Sequence, residues 1–237
     1  MPTQHTVKAY DQDLKRIKTT ISEMGGLVEA QLADALEALG RHDLDAATRC
    51  IEADARVDAL DRLVESLAIQ FLALRQPMAE DLRIAVSSIK IAGELERIGD
   101  YAKNIAKRMI RLGPAAELRP ATTIARMGRM VRPLIKDVLD AFVEGDAEKA
   151  MAVWRRDAEI DEMHTSVFRE LLTYMMEDPR TITVCTHLLF VAKNLERIGD
   201  HATNVAELVA YQVEGQMPAD DRPKGASSIE PIERPGA

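Results

Sequence analysis

Two copies of one motif decide the fold of this chain, ELERIGDYAKNIAK at Glu94–Lys107 and NLERIGDHATNVAE at Asn194–Glu207. The copies are identical at nine of fourteen positions at an offset of 100 residues, where chance would give about one. Upstream the match continues at an offset of 103 residues, which pairs Asp43, Asp54 and Asp58 with Asp146, Asp157 and Asp161. The chain therefore contains one structural unit twice.

Turn-forming residues around the two motifs divide the chain into six segments. The breaks lie at Gly40–Asp43, Gln76–Pro77, Gly113–Pro120, Gly145–Asp146 and Asp178–Pro179. Within the segments apolar residues recur at steps of three and four, which is helical spacing, and no long stretch alternates with the period of a strand. We predict an all-α protein in which Asp43 and Asp146 cap helices and Pro133 kinks the fourth helix.

The repeat also predicts how the helices are grouped. Segments one to three form the first unit and segments four to six form the second, so we expect two tandem antiparallel three-helix bundles. Their predicted bounds are residues 5–113 and 118–213, with the boundary in the Gly113–Pro120 linker. Residues 214–237 hold four of the ten prolines, and we expect them to form a disordered tail.

Each repeat gathers four carboxylates if its second and third helices fold back as a hairpin. Pro77 lies midway in sequence between Asp58 and Glu96, and equally between Asp54 and Asp100. The Asp178–Pro179 turn is placed in the same way in the second repeat. The first quartet is Asp54, Asp58, Glu96 and Asp100, and the second quartet is Asp157, Asp161, Glu196 and Asp200. Helices packed ~8–10 Å apart would bring each quartet level.

Four carboxylates in one place repel each other unless they are protonated, paired with arginines or bound to a cation. Hard oxygen ligands without cysteine suit Mg, Mn, Ca or iron. The alternative is that the acids are solvated and interleaved with Arg56, Arg97, Arg155 and Arg197.

Gly99 and Gly199 lie beside the acids, although a glycine within a helix is unfavourable by ~1 kcal/mol. Close approach of a helix, a metal cluster or a partner would explain them, and so would packing of the bundle core. Asn104 and Asn204 are either outer ligands or surface amides. His201 stands where the first repeat has Tyr101, and it either makes the second site chemically unequal or is a neighbouring surface residue.

Composition excludes several classes of function. The 237 residues carry 39 acidic and 31 basic side chains, for a net charge of −8, and only 4% are aromatic. A nucleic-acid binder would need a basic face, so we expect no nucleic-acid partner. No apolar run is long enough to span a membrane, and Met1–Tyr10 lacks the features of a signal peptide. With only two cysteines, Cys50 and Cys185, the chain is expected to be cytoplasmic.

At the quoted motifs the chain resembles the PhoU family, the accessory proteins of bacterial phosphate uptake and phosphate signalling. The resemblance rests on Glu96–Asp100 and Glu196–Asp200, each followed by an alanine and an asparagine at fixed spacing, and it covers roughly residues 5 to 213. It implies two similar three-helix bundles, frequent homodimers, and metal clusters bound through E/D-x-x-x-D motifs. By matching position, the implied ligands are the two quartets. The candidate metals are divalent or ferric ions, namely Fe, Mn or Mg.

The resemblance further implies a negative regulator of the phosphate-starvation (Pho) regulon. Such a protein would be an adaptor between the phosphate ABC transporter ATPase subunit and a PhoR-type sensor kinase, reaching the membrane only through these partners. We predict no enzyme activity. The alternatives are a carboxylate-bridged di-metal enzyme and a metal-free helical scaffold. A di-metal enzyme typically uses Glu-x-x-His, and here Asp161-x-x-His164 is the nearest sequence.

Overall fold

A computed structural model describes residues 4–112 and 120–218, with side chains described for 10–112 and 121–218. Within these ranges the chain forms helices and no strand, which confirms the all-α prediction. The helices are α1 Gln4–Arg41, α2 Leu44–Arg75, α3 Ala79–Leu112, α4 Pro120–Glu144, α5 Ala147–Arg155, α6 Asp157–Glu177 and α7 Ile182–Glu214, with a short 3-10 turn at Pro179–Thr181.

The helices group into the two predicted bundles. In the first, α1, α2 and α3 all pack on one another; in the second, α7 packs on α4, α5 and α6. The first bundle is antiparallel, because Tyr10 of α1 stacks edge-on against Phe71 near the end of α2. At the opposite end Gln31 Nε2 donates to the Cys50 carbonyl at 3.0 Å, near the start of α2. Both cysteines are buried and free.

The helix starts follow the sequence signals. Asp43 accepts hydrogen bonds from the backbone N–H groups of Asp45 and Ala46 at the start of α2. Asp146 accepts one from Lys149 at the start of α5. Both predicted N-caps are therefore confirmed, and each satisfies amides that lack an intrahelical acceptor.

The fifth predicted segment is not one helix, which corrects the prediction of six long segments. The chain turns at Arg156, whose N–H bonds to the Val153 carbonyl three residues back at 3.0 Å. The next residue, Asp157, begins α6 and is only 2% exposed. Its Oδ1 accepts a 3.3 Å hydrogen bond from Thr203 of α7. The tightened turn thus accompanies the placement of Asp157 against α7.

Two equivalent close contacts join the bundles along α1 and α4. A β-carbon on Gly25 would lie 2.3 Å from Leu139 Cδ2, and one on Gly128 would lie 2.1 Å from Leu36 Cδ2. Both the glycines and the leucines are related by the offset of 103 residues. The repeats are therefore related by a pseudo-two-fold axis. The helix α4 does not end at Pro133, which is exposed.

The helices α3 and α7, which carry the two motifs, pack side by side and run antiparallel. Asn204 of α7 contacts Glu94 near the middle of α3. Further towards the C-terminus of α3, the Arg108 guanidinium lies 4.1 Å from the ring centroid of Phe190, nearer the start of α7. Between these points the rings of Tyr101 and His201 lie 5.4 Å apart. The two motifs therefore meet at the pseudo-two-fold axis.

Several sequence expectations lie at the edges of the described ranges. Most of the Gly113–Pro120 boundary and most of the 214–237 tail fall outside the described residues, so the predicted domain bounds and the tail stay predictions. The helix α7 ends at Glu214, and Gly215 caps it with a positive φ of 79°. In the part of the chain that the structure describes, no helix is both long and apolar enough to cross a membrane.

Candidate functional site

All four acids of the second quartet line one cavity of about 510 Å³. Asp157 and Asp161 come from α6, and Glu196 and Asp200 come from α7. The hairpin register about the Asp178–Pro179 turn therefore brings these residues to one level. Tyr101 of the first repeat also lines the cavity, as do Arg197, His201 and Asn204. The cavity thus lies where the two motif helices meet.

Glu196, on α7, is a largely covered member of the second quartet. Its Oε1 accepts a hydrogen bond from Lys193 Nζ at 2.6 Å, and its side chain is 14% exposed. Its other oxygen, Oε2, is buried and has no hydrogen-bond partner among the described residues. A buried carboxylate oxygen without a donor is unfavourable, so a bound cation would satisfy this atom.

His164 adds an imidazole to the surroundings of the second quartet. Burial lowers the pKa of His164, which favours the neutral ring, while the charges of Glu196 and Asp161 partly oppose this shift. A neutral imidazole is a good ligand for transition metals. Even so, among the residues described, no three His, Cys, Asp or Glu side chains are placed to hold one metal ion together. Coordination would require some of these side chains to rotate.

In the first quartet a lysine bridges two aspartates on different helices. Lys103 Nζ lies 2.7 Å from Asp54 Oδ2 and 2.5 Å from Asp100 Oδ1. The lysine side chain is 18% exposed and that of Asp54 is 13% exposed. Burial alone would lower the pKa of Lys103, but its hydrogen bonds to Asp100 and Asp54 raise the pKa above its ordinary value. Lys103 is therefore charged and joins α2 to α3.

Although Lys103 pairs with two acids of the first quartet, Glu96 is still repelled by the neighbouring carboxylates. Burial raises the pKa of Glu96, and the charges of Asp100, Asp58 and Asp61 raise it further, while Arg97 acts in the opposite direction. The Arg97 Nε lies 3.7 Å from Glu96 Oε2. The arginines thus have mixed roles. Arg155 pairs with Glu148 outside the quartets, and the Arg197 guanidinium lies 5.6 Å from the ring centroid of Tyr101.

Comparison with known proteins agrees with this tandem architecture. The family model of the PhoU domain matches the chain twice, at residues 21–109 and 124–209. The chain belongs to the PhoU family. Both matched ranges contain one acid quartet, and the predicted family is confirmed.

Similar proteins extend over nearly the whole chain. The Caulobacter vibrioides phosphate-specific transport system accessory protein PhoU homolog is 50% identical over 223 residues, covering 94% of this chain and 97% of the relative. The Rhizobium meliloti protein of the same name is 48% identical over 225 residues, covering 94% and 95%.

Two solved structures share the fold. PhoU from Pseudomonas aeruginosa superposes with a TM-score of 0.85 at 38% identity, covering 87% of this chain and all of that one (100%). The phosphate transport system regulatory protein PhoU from Streptococcus pneumoniae gives a TM-score of 0.82 at 27% identity, covering 88% and 99%.

A polar bridge between the PhoU repeats was not expected from the sequence. Glu94 Oε2 lies 2.6 Å from His201 Nδ1 and accepts a hydrogen bond from Asn204 Nδ2 at 2.9 Å. Burial raises the pKa of Glu94, but the hydrogen bonds from His201 and Asn204 outweigh it and lower the pKa. His201 and Asn204 therefore act between the repeats as well as lining the second cavity.

The glycines beside the quartets pack against neighbouring helices. A β-carbon on Gly99 would lie 2.9 Å from Gln31 Oε1, and one on Gly199 would lie 3.4 Å from Ile160 Cγ2. Of the alternatives open at the sequence level, bundle packing accounts for Gly99 most directly. Packing does not require a glycine at position 199, because a β-carbon 3.4 Å from Ile160 Cγ2 would make an ordinary van der Waals contact.

Sequence reasoning missed the residues that distinguish the two sites. At the offset of 100, Lys103 corresponds to Thr203, whose single hydroxyl proton is shared between Asp157 Oδ1 at 3.3 Å and the Gly199 carbonyl at 3.1 Å. At the offset of 103, Asp61 corresponds to His164. The repeat alignment contained both differences, and comparing non-identical positions would have found them.

Proposed function

We propose that this chain is a non-enzymatic accessory protein of a phosphate-specific transport system and a negative regulator of the phosphate-starvation response. The observation that carries the proposal is the near full-length match to relatives whose names state that accessory role. The tandem repeats with an acid quartet in each support it as well.

Deleting the gene tests this role. Cells without it should express phosphate-starvation genes even in phosphate-rich medium, and wild-type protein supplied in trans should restore repression. A matched complementation with Lys136→Met, which removes only an exposed surface pair, should repress like wild type. Unchanged expression in the deletion strain would count against the regulatory role.

Within this role, the second quartet is proposed to bind a divalent or ferric ion, with Fe, Mn and Mg as candidates. Its four carboxylates face one cavity, and the buried Glu196 Oε2 has no donor among the described residues. Carboxylate oxygens suit these hard cations. When bound, the ion would supply the positive charge that offsets the quartet and would tie α6 to α7. The residues that would hold it are Asp157, Asp161, Glu196 and Asp200.

The first quartet fits a metal less well, because Lys103 already lies between two of its carboxylates. A metal would have to displace a charged ammonium group held by two charge-assisted hydrogen bonds. The proposed metal site is therefore in the second repeat, although the family resemblance implies both.

A matched pair of variants tests the metal part. Asp200→Asn should reduce the metal content of the purified protein, measured by elemental analysis, whereas the equivalent Asp100→Asn should leave it unchanged. Protein that takes up no metal under any loading condition would overturn the metal site. That result would not bear on the accessory role, which the gene deletion tests separately.

The partners proposed for this chain are the ATPase subunit of the phosphate transporter and a PhoR-type sensor kinase. A cytoplasmic adaptor needs surfaces for both, and we propose that it acts as a homodimer. Co-purification of each partner with tagged full-length protein tests the contacts, and light scattering during gel filtration tests the dimer. Recovery of neither partner after crosslinking in cells would contradict the adaptor role.

A further inference from the structure

A second cavity, of about 470 Å³, lies on the seam between α1 and α4. Its lining includes small or apolar side chains such as Leu36 and Ala125. Its charged lining residues are Arg41, Arg129, Arg132 and one acid, Glu37. We call this the arginine groove. The lining residues carry a surplus of two positive charges in a chain whose net charge is −8.

The single acid in the arginine groove is already neutralised. Arg41 pairs with Glu37 Oε1 at 2.6 Å, and Arg49 approaches Glu37 Oε2 at 3.9 Å. Arg49 is itself held by Asp34 at 3.0 Å. Glu37 therefore contributes little negative charge towards the remaining arginines.

Among the described residues, Arg129 and Arg132 are the groove arginines that make no hydrogen bond to a carboxylate. Across the residues whose side chains are described, Arg129 has no salt bridge or hydrogen bond to a carboxylate, and it is exposed. Arg132 reaches Glu29 only at 3.8 Å and is 54% exposed. A guanidinium has five N–H donors, so most of those on both side chains face the groove or solvent.

The concentration of arginines is specific to one repeat. Residues 118–136 contain five basic residues and no acidic residue. At the equivalent positions of the first repeat, 103 residues earlier, Gly26 and Glu29 replace Arg129 and Arg132. Solubility does not explain this difference, because the acidic side chains elsewhere already provide a high net charge.

We propose that the arginine groove binds a phosphate-bearing anion. A guanidinium matches phosphate oxygens with paired hydrogen bonds, and a phosphate group can balance more positive charge than one carboxylate. The cavity volume lies in the range of small-ligand sites. This site is separate from both quartets and does not depend on the proposed function.

Calorimetric titration of the full-length protein at low ionic strength tests the site, with inorganic phosphate and pyrophosphate as probes. The double variant Arg129→Gln/Arg132→Gln should weaken binding of pyrophosphate about tenfold or more. The matched control is Arg126→Gln, an exposed arginine of the same helix that does not line the groove. It should change the affinity less than about twofold. Unchanged thermal unfolding would show that the variants fold.

Vesicles distinguish a soluble anion from a lipid headgroup. Binding of pyrophosphate that needs Arg129 and Arg132 supports a soluble ligand. Binding only to vesicles that contain phosphatidylglycerol, with the same dependence, supports a headgroup. The proposal is overturned if inorganic phosphate, pyrophosphate and the phosphatidylglycerol vesicles all fail to bind, if Arg126→Gln weakens binding as much as the double variant does, or if only a polyglutamate peptide binds.

Discussion

The two acid quartets have equivalent positions in the repeats but different surroundings. In the first, the ammonium group of Lys103 lies between Asp54 and Asp100. In the second, the equivalent Thr203 supplies only a neutral hydroxyl to Asp157, and the quartet faces a cavity. The repeat therefore keeps the acids and changes what offsets their charge.

This difference separates a structural role from a ligand-binding role. The Lys103 ammonium group is part of the chain, so it is always present and links α2 to α3 whatever ions are in solution. In the second quartet Thr203 takes the position of that lysine, and Lys193 pairs with Glu196 on the same helix, so it does not tie α6 to α7. The charge of this quartet is offset by neighbouring side chains or by a bound ion. We therefore propose that the first quartet is structural and that the second is the one that binds a metal.

Removing Lys103 should give the largest effect on stability. Lys103→Met leaves two largely covered carboxylates without their shared cation, so the free energy of unfolding should fall by about 2–3 kcal/mol. Urea denaturation at pH 7 measures the free energy of unfolding of the variant and of wild type. The control Lys136→Met breaks an exposed pair with Asp140 and should change stability by less than about 0.5 kcal/mol. Equal losses of stability in the two variants would show that Lys103 contributes no more than an exposed surface pair.

The bridge between the repeats should give a smaller, pH-dependent effect. The pKa of Glu94 is lowered in the folded state, so its contribution is present above the ordinary value of 4.5 and is lost as the pH falls through the folded pKa. Glu94→Gln should therefore lower stability by about 1 kcal/mol at pH 7. The difference from wild type should shrink below about pH 4.5. A difference that stays constant between pH 7 and pH 3 would show that the carboxylate charge is unimportant.

The smallest expected effect compares equivalent glutamates in metal-free protein. Glu96 is repelled by neighbouring acids, which raise its pKa after burial, so Glu96→Gln should raise stability at pH 7 by about 0.2–0.5 kcal/mol. Because the raised pKa disfavours the charged form, this gain should vanish as the pH falls below the ordinary value of 4.5.

Glu196→Gln serves as the matched variant in the second repeat. It loses the charged bond to Lys193 and should instead lower stability by about 0.5 kcal/mol at pH 7. Chemical denaturation with chelator present measures both variants. Shifts of the same sign would show that the quartets are electrostatically alike.

The fold was predictable because its signals repeat along the chain. The offsets of 100 and 103 residues, the turns at Pro77 and Pro179, and the Asp43 and Asp146 caps together specify two bundles and their register. The break at Arg156 was not predictable from periodicity. It accompanies the burial of Asp157 against α7, which is a tertiary effect.

The candidate site was only partly predictable. The sequence distances of the acids from each turn predicted that the second quartet lies together around one cavity. The same distances apply to both repeats, so they predicted no difference between the quartets. A lysine three residues after Asp100 can point to solvent or fold back, and only the packing of α2 against α3 decides this. The metal itself stays a prediction.

Exchanging the residues at the two equivalent positions tests the central claim most directly. Metal content per chain would be measured by elemental analysis after chelation and reloading of wild type, Thr203→Lys and Lys103→Thr. If the lysine decides which quartet binds metal, Thr203→Lys should lose the metal that wild type binds, and Lys103→Thr should bind additional metal. Full loading of Thr203→Lys, with no gain for Lys103→Thr, would contradict it.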